Sequence, residues 1–185
     1  MSLRCISLSY GFLMAAVSLL TACTGTTIRP ETVRESVQHY GIIVVGDVSG
    51  KDELWKSYAV EMRRSLSTEL GASKAFTQLV DPAPPTALPD AVRVTAQITE
   101  VAKGSEAMRW IVGFGAGKAH MTAEFKLLDP TGAELGTFSL KKTYSGGLGI
   151  GGAGMVDMDD LANKLGKQAA DAIVVWSKTG KIAAN

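Results

Sequence analysis

Residues 118–145 read KAHMTAEFKLLDPTGAELGTFSLKKTYS, and this stretch decides the fold. Its first half alternates apolar with polar side chains, which is the pattern of a strand with one face on a core. The apolar positions are Ala119, Met121, Ala123, Phe125 and Leu127. The letters DPTG at 129–132 are typical of a tight turn, and residues 134–145 supply a second strand. The stretch therefore predicts a β-hairpin.

Further strands precede this hairpin. Residues 91–101, AVRVTAQITEV, alternate in the same way. Val92, Val94, Ala96 and Ile98 are on one side, and Arg93, Thr95, Gln97 and Thr99 are on the other. Residues 40–50, YGIIVVGDVSG, are an apolar, β-branched run closed by turn residues, which predicts a buried central strand. A short strand is predicted at 75–80, and the prolines of 81–90 predict an irregular connection.

Two segments have helical periodicity. Between residues 52 and 70, apolar side chains recur every three or four positions, and Gly71 follows where helices commonly end. A second stripe runs from 157 to about 177 and consists of Leu161, Leu165, Ala169, Ala172, Ile173 and Trp176. Acidic residues at its start suit the helix dipole. Both segments are therefore predicted to be amphipathic helices.

The order of elements is β, α, β, an antiparallel meander and then α. This order predicts an α+β fold, a mostly antiparallel sheet with two main helices packed on one face. We expect one domain over 37–180 and a tail over 181–185. Several polar residues fall on the opposite side of the strands, namely Arg93, Thr95, His120, Thr122 and Glu124. If the helices leave that side uncovered, the domain is suited to reading another surface.

The N-terminus has the layout of a secretory signal peptide. Arg4 precedes an apolar run over 11–20, which is short for a membrane span, and small residues follow before Cys23. The letters LTAC at 20–23 resemble the lipobox of bacterial lipoproteins, in which the peptidase cuts before a cysteine that carries diacylglycerol. The alternative is a buried N-terminal helix, but the polar residues that follow at once argue against it.

The lipobox resemblance implies a signal peptide over 1–22 and a lipid, including a fatty acid such as palmitate, on Cys23. By the sorting rule of such lipoproteins, Thr24 favours the outer membrane, facing the periplasm. Residues 23–36 are predicted to be the lipidated N-terminus and a flexible tether, because they contain few large apolar side chains. Cys5 leaves with the signal peptide, so we expect no disulfide and no cofactor beyond the covalent lipid.

The charge of the chain limits the classes of partner, and its length limits the number of domains. The chain has 19 Lys and Arg against 18 Asp and Glu, and loss of Arg4 with the signal peptide balances the two. Nucleic-acid binding requires clustered basic residues, so no nucleic acid is expected as a partner. A mature chain of roughly 160 residues is about the size of one domain.

Two glycine-rich segments resemble nucleotide-binding loops without meeting their requirements. GGLGIGGAG at 146–154 contains a G-x-G-x-x-G pattern. The acidic residue at the required distance, Asp171, falls inside a predicted helix rather than after a second parallel strand. GFGAGK at 113–118 lacks the first glycine and the final Ser or Thr of a P-loop, because Val112 and Ala119 occupy those positions.

No catalytic or metal-binding pattern stands out, so a non-enzymatic protein is predicted. His39 and His120 are the two histidines, and neither has ligand spacing. Acidic residues at 157, 159 and 160 are interpreted as helix caps rather than calcium ligands. A hydrolase would need two carboxylates in one cleft, drawn for example from Asp47, Glu100, Glu106, Glu124 or Asp129.

The segment KGSEAMRWIVGFGAGKA at 103–119, with the DPTG turn, resembles a family of small bacterial envelope lipoproteins catalogued as a domain of unknown function. The residues that carry the resemblance are Lys103, Gly104, Ser105, Arg109, Gly113, Gly115, Gly117 and Lys118. The resemblance covers roughly residues 37–177. It implies a compact periplasmic domain on a lipid anchor and brings no established reaction.

We therefore expect a protein-binding or assembly module at the outer membrane, of unknown oligomeric state. The candidate binding residues are Arg109, Trp110, Gly113, Gly115, Gly117, Lys118, Leu148 and Ile150, because exposed apolar side chains commonly mark contacts with protein or lipid. The alternative is a small-ligand or lipid-headgroup binding module, in which Arg109 and the N–H groups of 113–117 receive an anion. A purely structural interpretation is that these glycines make tight connections at the sheet ends.

Overall fold

The computed structural model describes residues 26–33, 39–103, 118–144 and 157–182, which form six strands and two helices. The strands are β1 (Thr26–Val33), β2 (Ile42–Ser49), β3 (Gln78–Val80), β4 (Ala91–Ala102), β5 (His120–Leu128) and β6 (Glu134–Thr143). The helices are α1 (Glu53–Ser73) and α2 (Met158–Thr179). Neither helix is apolar over a length that could cross a membrane.

The strands form one sheet in the order β1-β6-β5-β4-β2-β3. The pairs β1–β6, β6–β5 and β5–β4 are antiparallel, and β2 is parallel to both β4 and β3. Both helices pack on the same face of the sheet, where one core cluster joins them to the strands. The predicted α+β fold, with a mostly antiparallel sheet and two helices on one face, is confirmed.

The hairpin that the DPTG motif predicts is present between β5 and β6. Gly132 has a φ of 85°, a left-handed conformation that glycine adopts without steric cost, and its N–H donates to the Asp129 carbonyl oxygen at 2.9 Å. The Oδ1 atom of Asp129 accepts from the N–H groups of Thr131 at 2.8 Å and Ala133 at 2.9 Å. Sequence-local hydrogen bonds therefore set the register of the hairpin.

Alternation along the strands separates a buried face from a polar one. The predicted apolar positions of β4 and of 119–127 are all buried: Val92, Val94, Ala96, Ile98, Ala119, Met121, Ala123, Phe125 and Leu127. Phe125 lies opposite Phe138 across the β5–β6 ladder, and their rings stack with centroids 5.2 Å apart. This cross-strand pair lies at the centre of the core beneath the helices.

Helix α1 begins as predicted and ends later. The carboxylate of Asp52 accepts from the N–H of Trp55 at 2.9 Å, which caps the first turn. The prediction that the helix ends at Gly71 is wrong, because it continues to Ser73 and the left-handed residue is Lys74, with a φ of 54°. Glycine permits a helix end without enforcing one, and the Ser73 hydroxyl bonds to the Leu70 carbonyl oxygen at 2.7 Å in the last turn.

Helix α2 matches its predicted stripe, since all six apolar positions are buried. Asp157 caps it by accepting from the N–H groups of Asp159 at 2.9 Å and Asp160 at 3.1 Å, as the capping interpretation expects. At the other end, Trp176 stacks on Tyr40, which precedes β2, with ring centroids 6.4 Å apart. Ile182, in the predicted tail, is buried as well.

The N-terminal segment differs from its prediction. Residues 26–33, expected to be part of a flexible tether, form the edge strand β1, which pairs with β6. The Thr26 hydroxyl contacts Lys142 Nζ at 2.8 Å and Gln168 Nε2 at 2.7 Å. Strand pairing uses backbone groups, so a polar segment can form an edge strand without contributing many large side chains. The strand predicted at 75–80 is also shorter, with β3 spanning Gln78–Val80.

The two helices approach each other closely at Gly166. A methyl group on Gly166 would collide with the Met62 carbonyl oxygen and would lie 2.9 Å from the Leu66 nitrogen and 3.0 Å from the Ser65 Cβ. Gly166 therefore permits close backbone contact between the helices, and any larger residue would push the helices apart.

We expect Gly166→Ala to lower the free energy of unfolding by about 1–3 kcal/mol, because the added methyl overpacks the crossing. Gly71→Ala is the matched control, since Gly71 lies in α1, is exposed and has nothing near its Cβ position. The free energy of unfolding of Gly71→Ala should rise by up to about 1 kcal/mol, because alanine has a higher helix propensity than glycine. Urea unfolding measures both, and equal effects of the two variants would contradict the close crossing.

Candidate functional site on the open face of the sheet

The face of the sheet that the helices leave uncovered, here called the open face, carries the polar positions of β4, β5 and β6. Its residues include Arg93, Thr95, Gln97, His120, Thr122, Glu124, Lys126, Ser139 and Lys141, none of which is buried. Gln97, Glu124 and Ser139 lie side by side across three strands. The five polar residues predicted to lie opposite the core, which are Arg93, Thr95, His120, Thr122 and Glu124, all lie on this face. The helices leave the face uncovered, which is the arrangement expected of a domain that recognises another surface.

One end of the open face holds a cluster around Glu100. The His120 Nε2 atom lies 2.9 Å from Glu100 Oε1, and Lys141 Nζ lies 3.3 Å from Oε2. The Thr122 hydroxyl donates to Oε2 at 3.0 Å. On the other side of the imidazole, Nδ1 lies 3.1 Å from the Lys118 carbonyl oxygen. Both ring nitrogens therefore face oxygen acceptors.

A β-bulge puts Glu100 in this cluster. Simple alternation would place Glu100 on the same side as Ile98, which is buried in the core. The register of β4 against β5 shifts between Ile98 and Glu100, so that Glu100 lies opposite Thr122. The sequence contains a signal for this shift, because Thr99 and Glu100 are consecutive polar residues in an otherwise alternating strand.

The surroundings of Glu100 favour its charged form. Contacts with His120, first, and with Thr122 and Lys141 lower the pKa of this carboxyl from 4.5 to about 2, although its partial burial acts in the opposite direction. The side chain is 52% exposed, so solvent screens much of the interaction energy. The cluster is thus an ordered, charged surface rather than a strongly stabilising buried pair.

A cavity of about 250 Å³ lies at the opposite end of the open face. It is lined by Val44, Pro85, Ala87, Leu88, Ala91, Arg93, Leu128, Asp129, Pro130, Thr131 and Gly132. The proline-rich connection supplies one wall, and its first residue, Asp81, pairs with Arg63 of α1. Arg63 also donates to the Gly46 carbonyl oxygen at 2.7 Å, which fixes this connection against the sheet.

Arg93 provides the cavity's positive charge. Its stem passes close to Gly46, where a Cβ would lie 3.2 Å from Arg93 Cγ. Its guanidinium forms no ion pair with the other side chains that the structure describes. The acidic residue of the lining, Asp129, is engaged by the Thr131 hydroxyl at 2.6 Å. The cavity therefore combines apolar walls with one cation, Arg93, and one carboxylate, Asp129, whose Oδ1 atom is held by hydrogen bonds within the turn.

Most of the predicted binding residues lie outside the described part of the chain. These are Arg109, Trp110, Gly113, Gly115, Gly117, Leu148 and Ile150, and the lipidation residue Cys23 lies outside it as well. Lys118 is described and exposed, and it lies two residues before His120, where β5 begins.

The carboxylates considered for hydrolysis are not brought together in the cavity. Asp129 lines it, whereas Glu100 belongs to the cluster at the other end and Glu124 pairs with Lys126 at 3.2 Å. Asp47 is exposed on β2, and Glu106 lies outside the described residues. Within the described ranges, no three His, Cys, Asp or Glu side chains form a metal-sized group.

The Glu100 cluster predicts a pH dependence of stability. The pKa of Glu100 is lower in the folded chain than in the unfolded chain. Its contribution to the free energy of unfolding is therefore fully present above about pH 5 and is lost as the pH falls toward 2. The difference in free energy of unfolding between wild type and Glu100→Gln should shrink over that range from a value below about 1 kcal/mol. Urea titrations measure it, with Glu124→Gln as control; a difference that grows at low pH would contradict the cluster.

Comparison with known proteins places this domain in a family. The family model described as a domain of unknown function, DUF4410, matches residues 26–147 and so begins with β1. No curated protein matches the chain by sequence.

Solved structures resemble the fold at low sequence identity. A PelC dodecamer from Paraburkholderia phytofirmans is 13% identical, covers 84% of this chain and 98% of its own, and has a TM-score of 0.52. Rare lipoprotein B from Shewanella oneidensis is 15% identical, with coverage of 74% and 92% and a TM-score of 0.40. The PelC likeness concerns the fold alone. Because the family match spans more than half of the chain, the protein belongs to the DUF4410 family, a domain of unknown function.

Proposed function

We propose that the protein is a lipid-anchored, periplasm-facing component of the bacterial outer membrane whose domain binds another envelope protein. The lipobox-like LTAC at 20–23 supports the anchor, with acylation at Cys23. The balanced charge of the mature chain supports a protein partner over a nucleic acid. The domain acts as a binding module rather than an enzyme.

The observation that carries this proposal is the open face itself. An antiparallel sheet with one solvated face is common, so its polarity alone would be ordinary. Here the face also presents fixed charges, with Glu100 held by three partners at one end and Arg93 beside a cavity at the other. Charged groups in fixed positions provide specificity and orient a partner.

The helix layer offers less to a partner. The large apolar side chains exposed in the described chain are Leu54, Val60 and Val175, which are distributed over two helices. Apolar residues scattered singly on a surface are normal and need no binding role. The comparison of the two faces therefore favours the open face as the contact surface.

A second copy of this chain is one form that the partner can take, because the PelC of similar fold is a dodecamer. The sheet edges are poorly suited to such assembly. The edge strand β1 contains Pro30 and an irregularity between Pro30 and Thr32, and β3 has three residues. Proline, bulges and short length protect edges from adding strands. Assembly would therefore use a face of the sheet rather than an edge.

The glycine-rich segments remain part of the proposal. The residues that flank them in the described chain, Lys103, Lys118 and Tyr144, lie at the same end of the sheet as the Glu100 cluster. The predicted set Arg109, Trp110, Gly113, Gly115, Gly117, Leu148 and Ile150, which lies outside the described residues, is proposed to contact the partner as well.

Site-specific cross-linking in intact cells tests the proposal. A photoreactive residue at Gln97 or Glu124 on the open face should capture a discrete protein, and one at Val60, exposed on α1, should not. Mass spectrometry identifies the product, including a second copy of this chain. Capture from Val60 but not from the open face would contradict the proposal.

Cys23→Ala should release the protein from the outer membrane, and its retention there would contradict the anchor.

The cavity beside Arg93 favours a second candidate function, the binding of a small anionic ligand. Its volume of about 250 Å³ lies just below the range of typical ligand pockets and suits a molecule the size of a single sugar acid. The apolar walls would desolvate the ligand, and Arg93 would pair with its carboxylate.

An NMR titration with glucuronate tests this second function. Amide shifts should move saturably around 128–132 in the wild type and not in Arg93→Met. The matched control is Arg29→Met, because Arg29 is an exposed arginine on the open face away from the cavity. Shifts at 128–132 that persist in Arg93→Met would contradict the pairing of Arg93 with the ligand, and the absence of saturable shifts there in the wild type would contradict the cavity as a binding site.

A further inference from the structure

We propose that the ligand of the cavity beside Arg93 is a zwitterion, an α-amino acid with an apolar side chain, whose carboxylate pairs with Arg93 and whose ammonium group pairs with Asp129. The inference deepens the second candidate function and rests on it, because it names the chemical class of the molecule that this cavity takes. Two opposite charges in the lining, their fixed positions and the apolar wall beside them carry the inference.

The charged groups of the cavity lining are one guanidinium and one carboxylate, those of Arg93 and Asp129. Arg93 lies opposite Leu128 in the β4–β5 ladder, and Asp129 is the next residue along the chain. The two side chains therefore come from neighbouring positions at the same end of the sheet. Arg93 nevertheless forms no ion pair with Asp129 or with any other described side chain. A ligand that carries both charges can bridge them.

The position of the Asp129 carboxylate is set by the turn that contains it. Its Oδ1 atom accepts from the N–H groups of Thr131 at 2.8 Å and Ala133 at 2.9 Å, and from the Thr131 hydroxyl at 2.6 Å. Neutral donors orient a carboxylate without removing its negative charge. The turn thus presents a fixed negative charge to the cavity, and a shift of Asp129 toward Arg93 would disturb these three hydrogen bonds.

The wall formed by the proline-rich connection is fixed as well. Arg63 of α1 pairs with Asp81, the first residue of this connection. The same guanidinium donates to the carbonyl oxygens of Gly46 at 2.7 Å and Val45 at 3.1 Å, so it joins the connection to β2. The lining residues of 85–88 follow within a few positions. A preformed wall lowers the ordering cost of binding, which favours a small ligand with few contacts.

Charge complementarity selects a zwitterion over a simple anion. A ligand with a carboxylate alone would pair with Arg93 but would also lie near the negative charge of Asp129, and apolar walls screen that repulsion weakly. Two further charged residues lie on neighbouring strand positions outside the lining: Glu134, which begins β6, and Lys126, which pairs with Glu124. Neither supplies a second unpaired cation. An ammonium group on the ligand converts the repulsion by Asp129 into an attraction.

The rest of the lining is mainly apolar, and it determines the rest of the ligand. Its apolar residues are Val44, Pro85, Ala87, Leu88, Ala91, Leu128 and Pro130. An α-amino acid carries its carboxylate and its ammonium group on one carbon, so both groups can reach neighbouring side chains while its own side chain contacts the apolar wall. The volume of about 250 Å³ suits a molecule of this size. A branched apolar side chain gains free energy by leaving water there.

An NMR titration with three related ligands tests the inference. Leucine carries both charges, isocaproate lacks the ammonium group, and isoamylamine lacks the carboxylate. Saturable amide shifts at 87–88 and 128–132 should give leucine a dissociation constant roughly tenfold or more below those of the other two ligands. The physical reason is that each of the other two loses one charge-assisted pair.

Asp129→Asn separates the charge of this residue from its role in the turn, because the asparagine side-chain oxygen still accepts hydrogen bonds. This variant should weaken leucine binding by roughly tenfold and should not weaken isocaproate binding, whereas a disturbed cavity would weaken both. Arg93→Met should weaken both ligands. Glu124→Gln is the matched control, since Glu124 is an open-face carboxylate outside the lining, and it should change neither affinity.

The outcomes distinguish this inference from the function on which it rests. Isocaproate that binds as tightly as leucine, or leucine affinity that is unchanged in Asp129→Asn, would overturn the zwitterion and leave the anionic-ligand function standing. The wild-type comparison of the three ligands is decisive even where a variant does not fold. No saturable shift with leucine, isocaproate or glucuronate would overturn both proposals. Isoamylamine that binds as tightly as leucine would overturn the pairing with Arg93, and with it both proposals.

Discussion

The close contact of the two helices at Gly166 is the constraint on which the rest of the structure depends. A backbone approach that leaves no room for a methyl group lets α1 and α2 lie side by side on one face of the sheet. The apolar side of the strands is thereby covered by a single helix layer, with Phe125 and Phe138 stacked beneath it. The other face of the sheet carries mainly polar residues and, among the described residues, is covered at one end by the proline-rich connection.

That division gives each face its own task. The covered face supplies stability through apolar burial, which needs no disulfide. The open face is free to carry charge, and a single bulge in β4 moves Glu100 from the core side to that face. Arg63 fixes the proline-rich connection at the far end, so the cavity beside Arg93 is formed by a loop held to the sheet. The two charged regions are thus both products of local irregularities in an otherwise regular sheet.

The features that the sequence predicted well are those with strong periodicity. Alternation identified the buried residues of β4 and β5, and the helical stripe of α2 is buried at every predicted position. Three features were missed because their causes are not periodic. Strand β1 forms through backbone pairing with β6, the position of Glu100 depends on a register shift, and α1 continues past Gly71 because glycine does not enforce an end. The Arg93 cavity depends on where a distant connection folds back, which no local pattern encodes.

The central claim is that the open face, and not the helix layer, meets the protein's partner. Carboxyl and amine footprinting by mass spectrometry, on the protein in native outer membranes and after purification, tests this claim most directly. The account predicts that Glu124 and Lys126 on the open face are labelled less in the membrane, whereas Lys56 and Glu61 on α1 are labelled equally in both. Equal labelling of the open face in the two preparations, with protection of α1 in the membrane, would contradict the account.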